Sequence, residues 1–233
     1  MEREDGLRIL SQTGWLSTTP PEFRDKVLTA CRWRRVEAGA LITLSGENAA
    51  DVIGGAHGVV ALTSALGVPD SSWITLMHAV FWIGYGPIMS GKPRRVTAIA
   101  RTEVWLASLS PTVIKSALAR RPEWWEHMLP LALEYGDYSA GIAADLAIRG
   151  SARRCAAVLM RLGGVDRFPA QRDLDTPILV PITQDEVAVA ANLSRNTVGK
   201  ILADFAKAGL IATGYGGIML TAPSRLMEFV EMG

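Results

Sequence analysis

The chain has 233 residues, of which 49% are hydrophobic and 20% charged. That describes a globular chain with ample core, long enough for two domains at about 150 residues each, and not a disordered one. Its net charge of +1 is evenly spread: residues 1–150 hold 15 basic and 15 acidic side chains, and residues 151–233 hold 9 and 8. Any surface for nucleic acid must therefore be a local arrangement of a few Arg and Lys. No apolar run approaches the roughly 20 residues of a membrane span. The charged start Glu2-Arg3-Glu4-Asp5 leads into no apolar signal segment, and the only cysteines are Cys31 and Cys155. A disulfide scaffold, a four-cysteine zinc site and a cysteine-held iron–sulfur cluster within this chain are excluded. A cytoplasmic protein that does not contact membrane is the expectation.

Leu7–Leu16 and Glu22–Ala30 predict short helices, the second entered through Pro20-Pro21. From 36 to 109, short apolar or alternating runs are separated by glycines: Leu41–Leu44, Val52–Ile53, Val59–Leu62, Trp73–Met77, Val96–Ala100 and Val104–Leu109. That punctuation predicts a small β-barrel. At Pro111 the period changes to that of a helix, first over Pro111–Ala119 and then from about 123 to 149. In the longer segment Met128, Leu131, Tyr135, Tyr138 and Ile142 step by 3, 4, 3 and 4, the seam of a helix packed on a partner helix or on its own barrel. Pro130 kinks this helix or marks its start, and Gly136 and Gly141 weaken it by about 1 kcal/mol each relative to Ala. After a break at Gly150, Ser151 is expected to cap a helix over Ala152–Leu162. A loop from 165 to 181 carries one short strand, Ile178–Val180.

Residues 182–221 carry the chemistry. Thr183-Gln-Asp-Glu186 is a capping box that opens a short helix. Asn192 suits a left-handed turn, and Ser194 caps the next helix. That helix puts Val198, Ile201, Leu202, Phe205 and Ala208 on one face, and Arg195, Asn196, Gly199, Lys200 and Ala203 on the other. Leu210–Ala212 and Ile218–Leu220, joined through Gly214-Tyr-Gly-Gly217, make a hairpin. Helix, turn, amphipathic helix and hairpin describe a winged helix-turn-helix. A DNA major groove about 12 Å wide admits one helix, which must bury one stripe and offer polar residues near its N-terminus to base edges. A small helical hairpin whose charges are merely solvated gives the same pattern.

The phrase Leu193-Ser-Arg-Asn-Thr-Val-Gly-Lys-Ile-Leu202 resembles the S-R-E-T-V-S/G-R-x-L pattern of the Crp/Fnr family of bacterial transcription regulators. Asn196 stands where the family commonly has Glu, and Lys200 where it has Arg. The resemblance implies an α+β fold with an N-terminal β-barrel of the cyclic-nucleotide-binding-like jelly-roll kind (1–122). A long dimerisation helix (123–149) and a C-terminal winged helix-turn-helix domain (150–233) follow. It implies a homodimer paired through Met128, Leu131, Tyr135, Tyr138 and Ile142, bound to a palindromic site on double-stranded DNA, with RNA polymerase as a further partner. Arg195, Asn196 and Lys200 would read bases, with Gly199 allowing close approach. Ser194, Thr197 and Tyr215 of the wing would contact phosphates, and Thr183 completes the DNA-binding set.

By the same resemblance the barrel holds an effector through Gly84, Tyr85, Arg94, Arg95 and Thr97. Arg94 matches the family's phosphate-binding arginine, and Tyr85 replaces the glutamate that takes a ribose hydroxyl. A cyclic nucleotide or another small effector is expected, and no cofactor is required. Haem would need His57 or His78 as axial ligand, yet a lone histidine is more often structural. Trp73, Trp82 and Trp105 fit a filled barrel core, the expectation, or else an apolar ligand pocket. Neither clustered histidines nor any GxSxG, P-loop or GxGxxG motif occurs, so no catalytic residue and no metal site is expected. The alternative is a sensor module acting through protein contact.

Overall fold

The computed structural model describes residues 2–48, 51–64, 73–165 and 173–232. These form two compact units, one from Met1–Val68 with Met77–Asp137 and the other from Pro69–Leu76 with Tyr138–Gly233.

The first unit opens with α1 (Arg3–Gln12), a 3-10 helix (Trp15–Thr18) and α2 (Pro21–Ala30). A capping box between Glu2 and Asp5 starts α1, and Pro21 starts α2 where its missing N–H costs no hydrogen bond. Two four-stranded sheets follow. One has the order β1 (Arg32–Val36), β8 (Val104–Leu109), β3 (Val52–His57) and β6 (Phe81–Ile83); the other runs β2 (Leu41–Thr43), β7 (Thr97–Ala100), β4 (Val59–Ser64) and β5 (Trp73–His78). The unusual Gly-Gly in β3 has a packing cause. Gly54 pairs with Trp82 and Gly55 with Phe81 across the ladder, and a Cβ on Gly54 would fall 2.7 Å from the Trp82 ring. The glycines make room for two large aromatic residues on the neighbouring strand.

The core of this unit joins the sheet to its helical flanks. Trp15 meets Phe23 and Trp82 edge-on at 5.8 and 5.2 Å between centroids, and Phe23 meets Trp124 at 5.3 Å. Trp15 Nε1 donates to His127 O at 2.5 Å. Trp82 therefore belongs to the helix–sheet interface, and half-buried Trp105 tilts against Trp33 at 6.4 Å. The Trp73 side chain lies outside the described residues. Helix α4 (Pro111–Arg120) adds Ile114, Ala117 and Leu118 to the core, and a 3-10 stretch (Pro122–Met128) leads into α5 (Leu129–Ala147). Pro130 sits in the first turn of α5, so it marks the start of that helix and does not kink it.

In the second unit α6 (Ser151–Leu162) is buried from Cys155 to Leu162. Its N-cap is Gly150, with no side-chain cap, and not the expected Ser151, which is already helical. Around it lie α7 (Gln184–Ala191), α8 (Arg195–Lys207) and α9 (Pro223–Glu231), with a three-stranded antiparallel sheet ordered β10 (Ile211–Gly214), β11 (Gly217–Leu220), β9 (Ile178–Val180). Phe205 of α8 packs edge-on against Phe229 of α9 at 5.7 Å, and Arg153 of α6 donates to Val230 O through Nε and Nη2. Two strands, β1 and β6, and two helices, α3 (Gly86–Ser90) and α9, are additions to the elements expected from sequence.

Candidate nucleic-acid interface

The two helices of the motif are fixed by local hydrogen bonds. Glu186 N donates to Thr183 Oγ1 at 3.2 Å, and Thr183 N donates to Glu186 Oε2 at 2.9 Å. The helix ends at Asn192, left-handed at φ 49°. Its short side chain tolerates that conformation better than most non-glycine residues would. Thr197 N then donates to Ser194 Oγ at 3.1 Å, opening α8.

Helix α8 divides as its spacing predicts except at Ala208, expected on the buried face but exposed as the residue that caps the helix end. Val198, Ile201, Leu202 and Phe205 are buried, whereas Arg195, Asn196 and Lys200 are exposed at its N-terminal end. Thr197 is half-buried, and its hydroxyl is hydrogen-bonded to that of Ser194 at 2.8 Å. Gly199 answers to a neighbour: a Cβ there would fall 2.7 Å from Gln184 Nε2, which donates to Arg195 O at 3.1 Å. Asp185 pairs with Arg195, Oδ1 to Nε at 2.8 Å. Gln184 and Asp185 were read from sequence only as interior members of the capping box. At the hairpin, Gly214 pairs with Gly217 and leaves a two-residue tip in which Tyr215 is fully exposed. Ser194, Arg195, Asn196, Thr197, Gly199 and Lys200 thus share one end of α8, Thr183 begins α7, and Tyr215 tips the wing.

The other two residue sets are distributed differently from their expected arrangement. Met128 and Leu131 are 0% and 2% exposed and belong to the first unit's own core, so they are not open to a partner helix. Tyr138 is hydrogen-bonded to Thr75 Oγ1 at 2.6 Å and donates to Leu76 O at 3.1 Å; Ile142 is half-buried and Tyr135 exposed. A different stripe of α5 is open. Leu129, Ala132, Leu133, Gly136, Ala140, Ala143, Ala144 and Ala147 are all exposed, at the steps of one helical face.

In the first unit, Arg94 is 3% exposed and lines a cavity of about 500 Å³ together with Arg32, Trp33, Arg34, Thr43, Glu47, Asp51 and Ser108. Its Nη2 donates to Asp51 O at 2.9 Å and its Nε lies 3.8 Å from Glu47 Oε2, whereas Nε and Nη1 are buried without hydrogen-bond partners among the described residues, as is Thr43 Oγ1. Burial pulls the Arg94 pKa down, opposed by Glu47 and Asp51. Gly84, at φ 87°, lies under this guanidinium: a Cβ there would fall 2.7 Å from Nη1. Tyr85 donates its hydroxyl to Leu131 O at 2.7 Å, and burial pushes its pKa up. Arg95 is exposed, and Thr97 Oγ1 accepts from Ser45 N. Of the five expected effector residues, Arg94 is the one that lines the cavity.

Comparison with known proteins agrees with this geometry. The family of Crp-like helix-turn-helix domains matches residues 153–229. The CRP-like cAMP-activated global transcriptional regulator of Mycobacterium tuberculosis is 30% identical over 153 residues, 66% of this chain and 67% of that protein. The transcriptional regulator LdrP of Thermus thermophilus is 30% identical over 181 residues, 77% of this chain and 87% of that one. In fold, the c-di-GMP responsive global regulator CLP of Xanthomonas campestris superposes with a TM-score of 0.65 at 16% identity, covering 87% of this chain and 100% of that one. With the jelly-roll-like sheets, the long α5 and the winged helix-turn-helix in place, this chain belongs to the Crp/Fnr family of transcriptional regulators.

Proposed function

We propose that this regulator acts as a homodimer on a palindromic operator, with its functional division at 1–122 (sensor), 123–149 (dimerisation) and 150–233 (DNA binding). The exposed polar end of α8 is the observation that carries the DNA assignment: Arg195, Asn196 and Lys200 are open while the opposite face is buried. Arg195 and Lys200 suit guanine, and Asn196 suits adenine. Ser194, Thr197 and Tyr215 would meet phosphates, with Thr183 beside them. The dimer would pair through the exposed α5 stripe from Leu129 to Ala147, whose small residues let two helices approach closely. As a DNA-binding regulator it would act in the cytoplasm, beside RNA polymerase at its promoters, and no catalytic residue is proposed.

The effector is proposed to be a small molecule with an anionic group. Arg94 Nε and Nη1 support this: they have no hydrogen-bond partner among the described residues, the ion pair from Nε to Glu47 Oε2 is long at 3.8 Å, and buried donors left unsatisfied are costly, so an anionic group would take them. The Tyr85 hydroxyl already donates to Leu131 O, and no carboxylate stands at that position to accept from a ribose hydroxyl.

Selection of bound DNA from a random library, with and without cyclic nucleotides, tests the proposal. An enriched palindrome is expected, and Arg195→Ala should lower specific affinity by about 1–3 kcal/mol and relax preference at one base pair. Loss that is uniform across all sequences would make Arg195 a phosphate contact. No enrichment under either condition would favour a sensor that acts through protein contact.

A further inference from the structure

The first turn of α7 presents a carboxylate that DNA binding does not obviously need. Asp185 has a 61% exposed side chain, and its Oδ1 lies 2.8 Å from Nε of Arg195, itself 72% exposed. The preceding residue, Gln184, donates to the main-chain oxygen of the same arginine. Two successive residues of α7 therefore hold Arg195, one by its backbone and the other by its guanidinium.

So exposed an ion pair contributes little to folding stability. A negative charge on this face also opposes the attraction of a basic side chain to phosphates. What the pair does supply is order. A free arginine loses considerable rotamer freedom when it is fixed against a base. Contact through Nε restrains the guanidinium before DNA arrives. The terminal nitrogens, which carry the donors that match O6 and N7 of guanine, lie beyond that contact. The same carboxylate penalises any complex in which the arginine gains no base, which is a means of rejecting wrong sequences.

We propose that Asp185 is a positioning residue for DNA recognition: it aims Arg195 at a guanine and raises the cost of binding elsewhere. The inference rests on Arg195 reading a base.

The test uses the whole 233-residue chain and its variants Asp185→Ala, Asp185→Asn and Arg195→Ala. Affinity is measured for the selected operator, for operators changed at each base pair in turn, and for an unrelated duplex of equal length. Thermal melting of each variant establishes that it folds. Arg195→Ala identifies the base pair at which discrimination is lost. Asp185→Ala should lower discrimination at that same pair about tenfold and raise affinity for the unrelated duplex, with Asp185→Asn between it and the parent. If Asp185→Ala weakens operator and unrelated duplex in equal proportion, discrimination intact, Asp185 serves only the helix terminus and the proposal is overturned. If Arg195→Ala leaves discrimination intact at every pair, base reading by Arg195 falls and this inference with it.

Discussion

Cys31 and Cys155 illustrate how burial decides the chemistry of a single residue. They are 6% and 0% exposed, Cys31 Sγ donates to Val27 O, and burial pushes both thiols up to about 12. Roughly one thiol in a hundred thousand is then ionised at pH 7, and the thiolate is the reactive form. Both cysteines should resist a thiol reagent in the folded protein at pH 7 and react promptly once it is unfolded in urea; fast reaction of the native protein would make a redox role worth pursuing. Arg94 and Tyr85 mark what a sequence conveys at this scale. The family resemblance pointed to Arg94 as the residue expected to hold an anion, because its neighbours in the chain match the family's pattern. The partner of Tyr85 is Leu131, 46 residues on, and no local pattern carries such a contact. Asp185 was overlooked for the same reason: beside Thr183 and Glu186 it reads as a residue of a helix start, and its partner lies across the turn.

At the scale of elements, a buried polar network joins α5, α6 and the Thr75–Leu76 stretch of β5 within the second unit. Arg161 Nε donates to Asp145 Oδ2 at 2.8 Å and Nη1 to Thr75 Oγ1 at 3.2 Å, and the guanidinium lies 5.9 Å from the Tyr138 ring centre. Arg161 and Asp145 are 7% and 2% exposed. Removing one partner of such a pair leaves a buried charge uncompensated, so Asp145→Ala should cost about 3–5 kcal/mol in urea unfolding. A loss below about 1 kcal/mol would mean that water or another group takes over the arginine. The break at Gly150 and the glycines after Leu162 placed α6 almost to the residue yet could not reveal that Arg161 is buried, because arginine in an amphipathic helix ordinarily marks the solvent face. The capping box at Thr183, the left-handed Asn192 and the Ser194 cap were all legible, since each is a hydrogen bond or a dihedral within three residues. Ser151 shows the limit of that logic: the residue type suits a cap, but Gly150 takes the position. Strand β1, with its sequence Arg-Trp-Arg-Arg-Val, was invisible for a related reason. Its apolar content is low, and its pairing with β8, about 70 residues away, is what makes it a strand.

For the whole molecule, the question is which face of α5 would meet a second copy in the proposed dimer. The heptad-like seam fits a partner helix and the chain's own domain equally, and it was the family resemblance that placed Met128 and Leu131 at the partner. The core of the first unit takes both residues, which leaves the stripe through Leu133 and Gly136 exposed among the described residues. Leu133 is 68% exposed, and a Cβ on Gly136 would meet nothing within 4 Å, so neither position has much to lose in the monomer. Burying a leucine contributes about 2 kcal/mol, and twofold symmetry counts it twice. Leu133→Asp should therefore raise the dimer dissociation constant about a thousandfold while leaving thermal melting of the dissociated chain near that of the parent. Met128→Asp should instead unfold the first unit. Sedimentation equilibrium read beside thermal melting separates the two effects. A Leu133→Asp protein that stays dimeric would move the interface off this stripe. If it becomes monomeric, it should also bind a half-site and a full palindrome with similar affinity, because two recognition helices act together only when α5 holds them in register with the DNA repeat.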